Sequence, residues 1–89
     1  MVRYTRHALR RMKERGLSPS VVEDALRSPD GVFLDVVTGR LVAVSYSRRL
    51  VVVYEARGGV TTVVTVIAVS DVGRVVRRRE ASGRWRRLK

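Results

Sequence analysis

The only histidine of the chain begins a stripe of basic side chains at every fourth position, His7, Arg11 and Arg15. In a helix, residues at this spacing lie within about 80° of one another on one face. A ribonuclease that uses no metal needs a base for the ribose 2′-hydroxyl and cations for the charge of the transition state. An imidazole beside guanidinium groups supplies both. The stripe is therefore a candidate active site, a phosphate-binding face or an ordinary solvated helix surface.

Two hydroxyl groups later in the chain complete this candidate catalytic set if the fold brings them near the stripe. They belong to Tyr54 and Thr65, and either could supply the acid for the leaving oxygen. Metal catalysis is not expected, because the chain has one histidine, no cysteine and scattered acidic residues. We expect no metal site and no cofactor.

Positive charge is concentrated at the C-terminal end. Residues 1–73 contain 11 basic and 7 acidic residues, and residues 74–89 contain 8 and 1, so +4 and +7 make up the net charge of +11. A basic segment of this kind favours a polyanion such as RNA. The candidate RNA-binding residues are Arg74, Arg77, Arg78, Arg79, Arg84, Trp85, Arg86, Arg87 and Lys89.

Trp85 lies among arginines, so its ring could stack on an unpaired base. It could equally fold back onto an apolar face of the sheet. Residues 74–89 are too basic to be expected in a core, apart from one short helical piece near 74–81. We therefore expect an Arg-rich RNA-binding tail, without which the domain of residues 1–73 still folds.

Helix-capping and turn residues in the sequence predict the helices and strands that position these residues. Thr5 and the pair Ser18-Pro19 are suited to begin helices, and Gly16 is suited to end one. Helices are predicted at 6–15, with Ala8, Leu9 and Met12 buried, and at 19–28. Antiparallel strands rich in valine are predicted near 32–37, 41–47, 50–56 and 60–69. The expected fold is α+β, with two helices on a four-stranded antiparallel meander.

The predicted strands are apolar on both faces. Leu50, Val52 and Tyr54 alternate with Val51 and Val53, so the two helices can cover only one of the two sets. The other face must meet a partner subunit, the tail, a larger assembly or a ligand.

Size and composition indicate a single small domain. The chain has 89 residues, no cysteine and no apolar segment that resembles a signal peptide or a membrane span, so we expect a cytoplasmic protein that does not bind membranes. It also lacks asparagine and glutamine, and 17 of its 19 basic residues are arginine, a profile typical of a thermophile.

A family resemblance points in the same direction as the residues. His7-Ala8, Arg11-Met12 and Glu14-Arg15-Gly16-Leu17 resemble the signature His-Ala-x-x-Arg-Met-x-Glu-Arg-Gly of a family of small archaeal and bacterial domains of unknown function. That family is similar to the RelE-like ribonuclease toxins, and the resemblance covers residues 4–69. It implies a two-helix, four-strand fold and an RNA-directed protein, with His7, Arg11, Arg15 and Thr65 as its candidate site.

Three functions are consistent with these features. The first is an RNA-binding protein associated with the ribosome or rRNA through its basic tail, which the position of the charge favours. The second is a metal-independent endoribonuclease toxin that acts on mRNA. The third is a module bound by an acidic antitoxin protein.

Overall fold

The computed structural model describes all 89 residues and contains three helices and six strands. The elements in chain order are β1 (Val2–Tyr4), α1 (Arg6–Arg15), α2 (Pro19–Arg27), β2 (Gly31–Asp35), β3 (Leu41–Ser45), β4 (Leu50–Arg57), β5 (Val60–Ala68), α3 (Val72–Ala81) and β6 (Trp85–Arg87). The strands form one mixed sheet in the order β1-β5-β4-β3-β2-β6, in which β1 is parallel to β5 and all other neighbours are antiparallel.

The predicted fold class, two helices on a four-stranded antiparallel meander, is wrong. β2 to β5 do form a meander, but β1 and β6 extend it at both edges and α3 adds a third helix. The two edge strands have three residues each, which is too short for an alternating pattern to be recognised in the sequence.

The turn and cap residues act as the sequence predicts. The Thr5 hydroxyl accepts a hydrogen bond from the N–H of Ala8 and donates one to the carbonyl of Val64, so it both caps α1 and ties it to β5. Gly16 ends α1 with a φ of 66°, and the Ser18 hydroxyl accepts from the N–H of Val21 at the start of α2.

α1 and α2 cover one face of the sheet and form the first core. Ala8, Met12, Val22 and Ala25 of these helices pack against residues that include Val52, Val63 and Val66. Leu9 is expected in this core from its spacing but is 51% exposed, because α1 turns Ala8 and Met12 toward the sheet instead. The Tyr4 hydroxyl donates to the Glu23 carboxylate, which fastens β1 to α2.

α3 covers the other face, and the second core forms between it and the sheet, with the Trp85 side chain contributed by the edge strand β6. Val72 and Val76 of α3 and Trp85 of β6 pack against Phe33, Val42, Val44 and Val51 of the sheet. The sequence left four candidates to cover this face: a partner subunit, the tail, a larger assembly or a ligand. In the structure, the C-terminal segment covers it.

The expectation that residues 74–89 stay out of the core is also wrong, since Val76 and Trp85 are buried in the second core. The segment packs despite its charge because its valines occupy one side of a helix and its arginines the others. No helix of the structure combines the length and the apolar composition needed to cross a membrane.

Candidate nucleic-acid interface

α3 holds four arginines in a fixed arrangement over the sheet. The Asp71 carboxylate accepts a hydrogen bond from the N–H of Arg74 and begins the helix, and Val72 and Val76 are buried beneath it. Arg74, Arg77 and Arg78 form no ion pair, and all three are exposed. We call these three residues the α3 arginines. They present three guanidinium groups from one rigid element.

β6 follows α3 and pairs with β2, and Arg84, the residue directly before β6, forms an ion pair with Asp35. The Nε of Arg84 lies 3.2 Å from Oδ2 of this buried carboxylate. Oδ1 accepts hydrogen bonds from the N–H groups of Val37 and Thr38, at 3.0 and 3.2 Å. One carboxylate therefore fixes both the β2–β3 turn and the start of β6.

The electrostatics of Asp35 follow from these contacts. Burial acts to raise the pKa of the carboxyl group, but hydrogen bonds from Thr38 and Val37 and the charge of Arg84 together stabilise the ionised form more strongly. The pKa of Asp35 therefore lies below its ordinary value. Arg84 is thus paired with a carboxylate that stays ionised at neutral pH.

Trp85 is a core residue. The residue is only 5% exposed, and the centroid of its ring lies 5.6 Å from that of Phe33. The guanidinium of Arg79 lies over the Trp85 ring, 6.0 Å from its centroid, and that of Arg87 lies 4.7 Å from the centroid of Phe33. Of the two predicted roles for Trp85, the structure has the one in which it folds back onto the sheet.

A groove opens on the second face of the sheet beside the C-terminal half of α3. It has a volume of about 210 Å³, and we call it the α3 groove. Val53, Val64, Ile67 and Trp85 supply its apolar surface, and its charged or hydroxyl residues are Asp35, Thr38, Arg40, Thr65, Arg79 and Arg84. A second cavity, lined by Val75, Arg78, Arg79 and Ser82, adjoins the groove at Arg79.

Both carboxylates near the groove are already paired with arginines. Asp35 pairs with Arg84, and Glu55 pairs with Arg40 at 3.2 Å. Arg79 has no carboxylate partner. The local charge is therefore positive, and a ligand phosphate would find the guanidinium of Arg79 free to donate.

The structure does not assemble the predicted catalytic set. Thr65 pairs with Val53 and lines the α3 groove, whereas Tyr54 is the next residue of β4 and contacts the first core on the opposite face. His7 and Arg15 are exposed on α1, which packs on that opposite face, and Arg11 is half-buried there. No ion pair or side-chain hydrogen bond joins the three stripe residues to Tyr54 or Thr65. Burial raises the pKa of Tyr54, which makes it a poorer proton donor.

The predicted RNA-binding residues are divided between solvent and the fold. Arg86 and Lys89 are exposed, while Arg84 forms an ion pair with Asp35 and Arg87 forms one with Glu80.

Sequence reasoning missed two residues of this site, Arg40 and Asp35. An acidic residue at the end of a strand, four residues before Gly39, is a turn signal that could have identified Asp35.

These observations define a class, a small three-layer α+β domain with an arginine-rich helix over one face of its sheet. Residues 4–77 match the model of a family described as a domain of unknown function, DUF4258, and the chain belongs to that family. The match ends within α3, so Arg78 and β6 lie beyond it. No curated protein and no solved structure matches the chain.

Proposed function

We propose that this protein binds RNA, with ribosomal RNA as its target, through the α3 arginines and the α3 groove. The observation that carries the proposal is the set of unpaired guanidinium groups on α3. Placing like charges on one short helix is unfavourable unless a polyanion neutralises them.

Guanidinium groups donate in pairs to phosphate oxygens, and such contacts carry no base sequence information. A rigid array of them recognises the positions of phosphates, which suits a folded RNA. For this reason we place rRNA ahead of mRNA. An acidic protein would be attracted to the same surface and would compete with RNA for it.

A relationship to the RelE-like ribonuclease toxins is also a proposal. The two N-terminal helices and the central meander support it, and the parallel pair of β1 and β5 argues against it. RNA binding rests on the charges of α3 and does not depend on this relationship.

Cleavage of RNA is the second candidate, and one observation favours it: the Thr65 hydroxyl lines the same groove as Arg79 and Arg84. The groove offers no free proton acceptor, because Asp35 and Glu55 are paired and His7 lies on α1. Binding is therefore preferred. A metal-independent nuclease would cleave RNA in the presence of a chelator and leave a 2′,3′-cyclic phosphate.

Two experiments test the proposal. The labelled protein, titrated with an rRNA fragment, should show amide shift changes concentrated in α3 and around the α3 groove. The protein should also sediment with ribosomes at low salt and dissociate as salt is raised. Shift changes confined to α1 would move the interface to the opposite face, and no binding to RNA or ribosomes would refute the proposal.

A further inference from the structure

An exposed tyrosine lies at the N-terminal end of α3, away from the α3 groove. Tyr46 follows β3 and is 46% exposed, whereas Phe33 and Trp85 are buried and the other two tyrosines are half-buried. It is thus the one aromatic ring of the chain that is most open to solvent.

The turn that carries Tyr46 is held by hydrogen bonds to other parts of the fold. The N–H of Tyr46 donates to Asp30 at 2.7 Å, and the N–H of Arg48 donates to the Ser45 hydroxyl at 3.4 Å. The carbonyl of Arg49 accepts from the N–H of Val69 just after β5. Arg49 has a φ of 53°, so the turn is sharp and its conformation is specific. The ring therefore projects from a fixed base.

Arg77 lies close to this ring, and two further arginines share its turn. A methyl group added at Gly73 would lie 3.7 Å from Cε1 of Tyr46 and 3.1 Å from Nη1 of Arg77. The ring and the guanidinium group therefore both lie beside Gly73, where α3 has no side chain. Arg48 and Arg49 are exposed in the same turn, and none of the three arginines forms an ion pair. One oxygen of each nearby carboxylate accepts a backbone N–H: Oδ2 of Asp30 from Tyr46, and Oδ1 of Asp71, which also lies beside Gly73, from Arg74.

We infer that Tyr46 is a stacking platform for an unpaired RNA base, with Arg48, Arg49 and Arg77 contacting the flanking phosphates. An aromatic face bordered by guanidinium groups suits single-stranded RNA, because a base in a duplex cannot expose its face to a side chain. α3 spans about 15 Å, so an RNA strand on Tyr46 could continue along the α3 arginines. This inference rests on the proposed function and adds to it a preference for an unpaired nucleotide at this end of the interface.

The test compares Tyr46→Ala, Tyr46→Phe and wild type on a short uridine homopolymer and on an RNA duplex of the same length. Tyr46→Ala should bind the homopolymer roughly tenfold or more weakly, and the duplex with little change. Tyr46→Phe keeps the ring and should match wild type on both. Because no charge is removed, the salt dependence of binding should also stay the same.

Three outcomes would overturn the inference. Unchanged homopolymer affinity in Tyr46→Ala would remove the platform, and an equal loss on both probes would assign Tyr46 a general structural role. If Tyr46→Ala leaves affinity unchanged while substitution of the α3 arginines lowers it, the platform alone fails and RNA binding stands. If wild type binds neither RNA, the proposed function fails with it.

Discussion

Asp35 joins the β2–β3 turn to Arg84 at the start of β6. Its two oxygens are shared between the β2–β3 turn and Arg84, and the side chain is buried. In a chain with 19 basic and 8 acidic residues, this carboxylate serves to fix the fold rather than to dilute the charge of the surface.

Asp35→Asn should lower the free energy of unfolding at neutral pH by about 1–3 kcal/mol. The amide can still accept from Val37 and Thr38, but it loses the charge that faces Arg84. Since the folded protein lowers the pKa of Asp35, the stabilisation is complete above the unfolded pKa of about 4 and is lost as pH falls through the lower folded pKa. Denaturant unfolding across this acid range should show a smaller pH dependence in the variant.

Asp24→Asn is the matched control, because its ion pair with Arg27 is exposed and should contribute little. Equal effects of the two substitutions would contradict the role assigned to Asp35.

Trp85→Ala should destabilise the protein by about 3–5 kcal/mol, because it removes a buried ring that packs on Phe33. Thermal unfolding followed by circular dichroism measures this, since the variant has no tryptophan to report. Leu88→Ala, at a position 51% exposed, is the control and should change stability little. If Trp85→Ala were as stable as wild type but bound RNA more weakly, the result would contradict the role of Trp85 in the core and support the predicted role of base stacking.

At the scale of elements, the composition of α3 gives a wrong prediction of its burial. Four arginines within six residues indicate a solvated segment, yet Val72, Val75 and Val76 recur at the spacing of a helix with one apolar side. The predicted helical piece near 74–81 lies within this helix, but its burial is missed when charge is weighed above periodicity. The short strands β1 and β6 carry no such pattern and could not be predicted from local sequence.

Deletion of residues 74–89 should therefore abolish the fold, contrary to the expectation for a free tail. It removes most of α3 and all of β6, and exposes Phe33, Val42 and Val51 to water. The truncated chain should lack a cooperative unfolding transition and the dispersed amide spectrum of a folded protein. A truncated domain that unfolds cooperatively near the wild-type temperature would contradict the second core.

At the scale of the whole molecule, the sheet separates the two sites that the sequence suggested. α1 carries the stripe of His7, Arg11 and Arg15 on one face, while α3 and the α3 groove lie on the other. The charge of the C-terminal segment is evident from composition alone. Which of its arginines are free could not be predicted, because Asp35 is distant in sequence from Arg84 and only the fold brings the two together.

The salt dependence of RNA affinity tests the central claim most directly. Each phosphate of single-stranded RNA that the protein no longer neutralises reduces the slope of log K against log salt by about 0.7. Replacing Arg74, Arg77 and Arg78 by Gln should therefore flatten the slope by about 2, while the charge-matched replacement of Arg10, Arg11 and Arg15 on α1 should leave it unchanged. Circular dichroism should confirm that both variants are folded. An unchanged slope in the α3 variant, together with a flattened slope in the α1 variant, would contradict RNA binding by α3 and place RNA on the opposite face.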